Sequence, residues 1–461
     1  MTATLLTTFM VVLAMALLGA MIFSVVGLVS GTDETATLVP ATLLVVLLGT
    51  PPAGVLAFFM AAAVAKHITH AVPTALLGIP GDTMATALMR EADLLRRLGV
   101  PHVALRKMVA GSVLAALIAV PLATLFAVLL SPFGQHIQQA APWVFALMSL
   151  LVARFSPGRW ASVAMLLPFV MLIAGLQSLT REHGLKLSIS YFLGIAAGPL
   201  LADLVLLLAP AQRARMRVVE PRQIMLAPDV PDWSGGFPNP LRILDRRQCV
   251  STAAAASVSC ATFVFSPLAM TVILGEIASR QFRHAYHRLT SLLALRNGVT
   301  ESTYIAETLI PLIAFGLPLS PVAVGPAAPL FNAPPRFRID TGTGSIHNLH
   351  TLLSPSEFFF YSLAAVIVAI IVAYPISMKL AYRAAAFVTR RVSHESIIAM
   401  FISLVVMISL WEGGAIGLLV TLAVGVLGGV LNRAIGFGIG VQFMGLYTAM
   451  LTVPVMLARW A

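Results

Sequence analysis

The 461-residue chain is 59% hydrophobic and only 10% charged, with a mean hydropathy of +0.94, against roughly 25% charged residues in soluble domains. That composition excludes an ordinary soluble fold and leaves a multi-pass protein embedded in a lipid bilayer. The net charge of +11 does not point to nucleic acid, because the basic residues sit in short loops between apolar runs, which is the positive-inside pattern of a membrane protein.

In chain order the apolar runs cover residues 5–29, 36–48, 55–65, 109–130, 161–176, 187–208, 250–274, 358–374, 397–410, 415–431 and 435–457. Several match the ~20 residues that cross a ~30 Å hydrocarbon core, so the expected fold is all-α and polytopic with about ten to twelve crossing or re-entrant segments. The first run has no basic segment before it and stays apolar for about 25 residues, so it is expected to be a retained helix rather than a cleaved signal. Runs 36–48 and 55–65 flank Gly49-Thr50-Pro51-Pro52-Ala53-Gly54, and at ~1.5 Å per residue neither spans a bilayer alone. A hairpin, a kinked helix and a re-entrant loop all fit them.

Basic loops 89–107, 211–247 and 379–391 are expected in the cytoplasm, and the uncharged 131–141 outside. Loop 279–296 carries four arginines where alternation would place it outside, and reads either as an interfacial amphipathic helix or as a miscounted crossing. Cys249 and Cys260 share one apolar run; they are expected to pack in the core, since two cysteines supply neither a disulfide framework nor a four-ligand zinc site.

An internal repeat gives the sharpest signal. Pro73-x4-Gly78-Ile79-Pro80-x4-Ala85 returns as Pro311-x4-Gly316-Leu317-Pro318-x4-Ala323. The expected organisation is a membrane repeat at 1–210, a cytoplasmic connecting loop at 211–247 and a second repeat at 248–461, inverted relative to the first. Gly-x-Pro within an apolar run breaks a helix, because proline removes a helical N–H and glycine permits dihedrals other residues avoid. Such a break must be buried in protein or line a wet cavity, where free N–H groups suit an anion and unwound carbonyls a small cation.

With these residues in view, the chain resembles the large permease subunit of the tripartite tricarboxylate transporter family. Thr74-Ala75-Leu76-Leu77-Gly78-Ile79-Pro80-Gly81, followed by Thr83 and Thr86, looks like the family's TAILLNxPG…T motif. Gly298-Val299 through Glu301, Leu309-Ile310-Pro311-Leu312, Gly316-Leu317-Pro318 and Pro329-Leu330-Phe331 look like its GVxAPE…LIPLLTLGIPGS…PGPxLF region, and Gly425 to Phe437 resembles its GxxGYxLRRxGF. The family's PGLG stands here as Thr32-Asp33-Glu34-Thr35 and its YYGGxYGGS as residues 66–73, both in regions where it would contact cargo. The resemblance implies a secondary permease of the cytoplasmic membrane, not an enzyme. It further implies a sodium or proton gradient as drive, with a small membrane subunit and an extracytoplasmic solute-binding protein as partners.

The polar residues are read against that background. Intramembrane ionisable groups are costly and mark function unless they reach an interface. Candidates for coupling an ion are Asp33, Glu34, Asp82, Glu301, Ser302 and Glu307; Asp82 also suits a helix cap, and Glu301 to Glu307 lie in a run with five hydroxyl side chains. Candidates for binding a small organic anion, a carboxylate, are Lys66, His67, Thr69, His70, Thr74, Gly78, Pro80, Gly81 and Thr83 at the first break, with Gly316, Pro318 and Ser320 at the second. No cofactor beyond the coupling ion is expected. The rival is a membrane metalloenzyme or metal-ion transporter built on the His-x-x-His pairs 67/70, 284/287 and 347/350. Gly342-Thr343-Gly344-Ser345 lacks the lysine of a phosphate loop.

Overall fold

The computed structural model describes residues 2–460 apart from 31, 83, 186, 188, 209, 211–238, 265–266, 333–347 and 392–393. Thr83, His347, Gly342 to Ser345 and most of the connecting loop therefore lie outside the described residues. Among those described there is no strand. Seven helices are long and apolar enough to cross a membrane, and three shorter apolar helices accompany them.

The first half contains α1 (Thr2–Leu28), α2 (Glu34–Leu47), α3 (Pro52–Thr69), α4 (Met89–Arg97), α5 (Pro101–Leu130), α6 (Gly134–Phe155), α7 (Arg159–Glu182) and α8 (Ile189–Leu208). The second contains α9 (Arg246–Ala261), α10 (Pro267–Ser279), α11 (Ala285–Ala314), α12 (Pro355–Met378), α13 (Ala381–Arg391), α14 (His394–Ile435), α15 (Ile439–Tyr447) and α16 (Val453–Trp460). Local sequence sets several of the starts. Pro52, Pro101 and Pro355 open their helices where a missing N–H costs nothing. Asp245 and Ser354 close capping boxes with Gln248 and Glu357.

The structure selects among the alternatives and corrects others. Runs 36–48 and 55–65 form a hairpin, α2 to α3, turned at Gly49 with φ +80°. The expected outer loop 131–141 is mostly helix, because α6 begins at Gly134 despite its polar first turns. The expected single run 250–274 is two helices, α9 and α10. Loop 279–296 shrinks to a turn before α11, whose continuous 30 residues carry Arg296 into the interior, where it meets Glu91 at 2.7 Å and the Ala87 carbonyl at 2.7 Å. A buried arginine is tolerated there because acceptors surround it.

Runs 397–410 and 415–431 join in α14 across a break at Gly413 and Gly414, the latter with φ 58° and ψ −143°. Glu412 at that break accepts from the Ile189 N–H at 2.7 Å and the Ser190 N–H at 2.6 Å, placing a carboxylate at the N-terminus of α8. Gly413 therefore marks a break, whereas Gly194, Gly198, Gly425 and Gly429 pack α8 on α14 backbone to backbone. A Cβ on Gly194 would fall 2.7 Å from the Thr421 carbonyl, and one on Gly198 3.1 Å from that of Gly425.

Packing is reciprocal between the halves. α1 lies on α3 as α9 lies on α11, and α2 on α3 as α10 on α11. Across the halves, α3 and α1 pack on α12 while α11 and α9 pack on α5. The α5–α11 crossing is also close, with Gly111 facing the Ala294 carbonyl and a Cβ on Gly298 standing 3.0 Å from the Gly111 carbonyl.

Candidate functional site

The first break brings the site together. After α3 the chain makes a π turn over Pro73–Leu77 and reverses at Gly78, φ +67°, a left-handed conformation that glycine adopts without a Cβ penalty. Residues 79–82 then fold back onto His70. A Cβ on Gly81 would lie 2.6 Å from the His70 carbonyl oxygen and 2.8 Å from its Cα. Thr74 clamps this fold, donating to the His70 carbonyl at 2.7 Å and accepting from the Gly81 N–H at 3.2 Å. Asp82 is thereby delivered to His70, and its other oxygen caps the next turn by accepting from the Ala85 N–H at 2.9 Å.

A buried cluster of charge results. Lys66 Nζ lies 3.6 Å from Asp82 and 4.0 Å from Glu34, and donates to the Thr32 carbonyl at 3.1 Å. His67 faces two carboxylates, Glu34 at 2.7 Å through Nε2 and Glu301 at 3.5 Å through Nδ1. His70 faces Asp82 at 2.8 Å through Nδ1 and the Asn297 amide oxygen at 2.9 Å through Nε2. Ser112 of α5 donates to Glu301 at 2.8 Å, and the Tyr304 ring meets His67 edge-on at 4.5 Å. Lys66, His67, His70, Glu34, Asp82 and Glu301 are each at most 3% exposed. One oxygen of Glu301 and the Tyr304 hydroxyl are buried without a hydrogen-bond partner.

The second break repeats the local geometry without the lysine and paired histidines of the first. Gly316 has φ +64°, and Ser320 caps its turn by accepting from the Ala323 N–H at 3.2 Å, as Asp82 does for Ala85. Ser320 also donates to the Glu307 carbonyl at 2.6 Å, and Glu307 Oε2 accepts from the Val322 N–H at 2.9 Å while its other oxygen stays unpartnered. α11 thus serves both breaks, with Glu301 at the first and Glu307 at the second, about 9 Å apart along its axis. Each reversal is covered by a basic side chain. Arg96 lies against Gly78 and His350 against Gly316. Arg96 and Arg97 both bond Asp93 at 2.6 Å, and these bonds hold the Asp93 carboxyl below the usual carboxylate range.

Half of the residues expected from sequence meet at the first break: Lys66, His67, His70, Thr74, Gly78, Gly81, Glu34, Asp82 and Glu301. Pro80 lies in the same fold-back, its carbonyl accepting from Ser30 at 2.6 Å. Asp33 is half-buried as the cap of α2, accepting from the Ala36 N–H at 2.9 Å. Thr69 spends its hydroxyl on the Ala65 carbonyl, and Ser302 turns to Ser259 of α9 at 2.6 Å. Gly316, Pro318, Ser320 and Glu307 belong to the second break. Asn297, Tyr304 and Ser112 join the cluster without having been foreseen. Asn297 sits one residue before Gly298-Val299, a position whose only signal was its nearness to the motif.

The metal reading finds no support in this geometry. Glu34, His67 and Asp82 do bring donor atoms within 4.8 Å of one another, but the Lys66 ammonium already stands beside both carboxylates. His67 and His70 turn to different partners, while His284 and His287 are exposed with ring centroids 6.3 Å apart. In comparison with known protein families, the Tripartite tricarboxylate transporter TctA family matches over residues 13–438. No match was found among curated proteins or among solved structures.

Proposed function

Since this chain belongs to the Tripartite tricarboxylate transporter TctA family, we propose that it is the permease subunit of a secondary transporter that carries small carboxylates across the cytoplasmic membrane on an ion gradient. Its partners in this reading are a small membrane subunit and an extracytoplasmic solute-binding protein. The observation that carries it is the buried cluster at Gly78-Ile79-Pro80, in which Lys66, His67 and His70 are matched by Glu34, Asp82 and Glu301. An anionic cargo finds three basic side chains there. Adding its charge to a matched, water-poor cluster costs several kcal/mol unless a cation enters with it or a carboxylate is neutralised. That cost is a physical reason for coupling the anion to an ion.

The reciprocal packing of the halves and the matched caps at Asp82 and Ser320 support two inverted repeats at 1–210 and 248–461. Each repeat contributes one broken helix to the interface between them. Proteoliposomes holding the permease, its small subunit and its binding protein are expected to accumulate a labelled organic acid when a sodium or pH gradient is imposed. No accumulation of any acid across a panel of mono-, di- and tricarboxylates would defeat the proposal.

A further inference from the structure

The surroundings of His70 decide where one proton must be. Asn297 donates its amide N–H to the Met108 carbonyl at 2.9 Å, and a carbonyl only accepts, so the amide oxygen is the atom that faces His70 Nε2 at 2.9 Å. That ring nitrogen therefore carries a hydrogen. On the other side Nδ1 lies 2.8 Å from Asp82 Oδ2. A neutral imidazole would present two lone pairs to each other there, so this bond also contains a proton. Asp82 is held as a carboxylate by the Ala85 N–H at 2.9 Å and the Lys66 ammonium at 3.6 Å, which leaves the proton on the ring.

The titratable groups nearest this pair are Lys66 and His67 from α3 and Glu34 from α2, with Glu301 and Tyr304 from α11 joined to them through His67. Of these, the Glu34 and Glu301 carboxylates favour a positive ring, while the Lys66 ammonium favours the Asp82 carboxylate and disfavours a second positive charge beside it. The unpartnered Glu301 oxygen, an acceptor, and the unpartnered Tyr304 hydroxyl, a donor and acceptor, are buried in the same cluster. The Lys66 ammonium stands beside both Glu34 and Asp82, at 4.0 and 3.6 Å, so a small metal cation entering between them would meet a like charge.

We propose that the ion this permease couples to is the proton, carried as an imidazolium on His70 against Asp82, with Lys66 standing where a coupled metal cation would otherwise bind. This rests on the permease reading of the site. Cargo entry adds negative charge beside His70 and favours the bound proton; cargo exit lets His70 Nδ1–H pass its proton to water, leaving a neutral ring.

Two measurements test it. Full-length protein labelled with 15N-histidine in lipid bilayers at about pH 8, where exposed imidazoles are neutral, is expected to show a doubly protonated imidazole that His70→Gln removes, distinct from that of His67, whose two ring nitrogens face Glu34 and Glu301. A set of doubly protonated imidazole signals left unchanged by His70→Gln overturns the proposal. In proteoliposomes with sodium replaced by N-methylglucamine, an inward pH gradient is expected to drive uptake at least tenfold above the level without a gradient, and His70→Gln is expected to lose that accumulation. Uptake that follows a sodium gradient with pH clamped overturns the proton assignment and leaves the permease standing. Absence of uptake under either gradient overturns both.

Discussion

Lys66→Met is expected to destabilise the protein by ~3–5 kcal/mol, the cost of removing one partner from a buried ion pair, and to abolish transport. The ammonium is fully buried and is the neighbour of Asp82 at 3.6 Å, of Glu34 at 4.0 Å and of the Thr32 carbonyl at 3.1 Å. Methionine keeps much of the stem volume but leaves two carboxylates facing each other across an apolar side chain. Removing the opposite charge as well relieves most of that penalty, since replacing both members of a buried pair is often close to neutral. Lys66→Met/Asp82→Asn is therefore expected to recover part of the thermal stability in detergent while transport stays lost. A wild-type melting profile for Lys66→Met would show that the ammonium does not neutralise the cluster.

Gly78→Leu and Gly316→Leu are each expected to abolish transport while the protein still inserts and purifies. Both glycines are in the left-handed region, φ +67° and +64°, which costs an L-residue roughly 1–2 kcal/mol. That strain is small beside the packing of the surrounding helices. The steric effect is larger. A Cβ at Gly78 would fall 2.8 Å from Arg96 Nε, and one at Gly316 3.0 Å from the His350 ring, so a leucine must displace the side chain that covers each reversal and close the approach to the unwound backbone. Normal uptake by both variants would reduce the two Gly-x-Pro stretches to simple kinks.

Much of this architecture was legible in the sequence because membrane helices announce themselves by hydropathy and because glycine and proline punctuate them. The paired Gly-x-Pro stretches marked both reversals, and the proximity of Lys66, His67 and His70 to the first marked its charge. What escaped were helices whose first turns or halves are polar. The first turns of α6 read Gly134-Gln135-His136 and looked like a loop. The N-terminal half of α11, with Arg288 and Arg296, looked like a basic connection, although Arg296 is buried against Glu91 and Asn297 against His70. Hydropathy cannot separate a polar residue facing water from one facing a partner 200 residues away. Glu34 illustrates the same limit: the sequence marked it as a candidate for ion coupling without a partner, and the α2–α3 hairpin folds it 2.7 Å from His67.

The central claim is that the two breaks belong to inverted halves and open toward opposite sides of one membrane. It is tested most directly with single cysteines placed beyond each break, in a background where Cys249 and Cys260 have been replaced. Arg97 and Leu352 suit this, with side-chain exposure of 75% for the arginine and overall exposure of 45% for the leucine. With a membrane-impermeant maleimide on right-side-out and inverted vesicles, Arg97→Cys is expected to react only from the cytoplasmic side and Leu352→Cys only from the outside. Labelling of both from the same side would contradict the inverted arrangement.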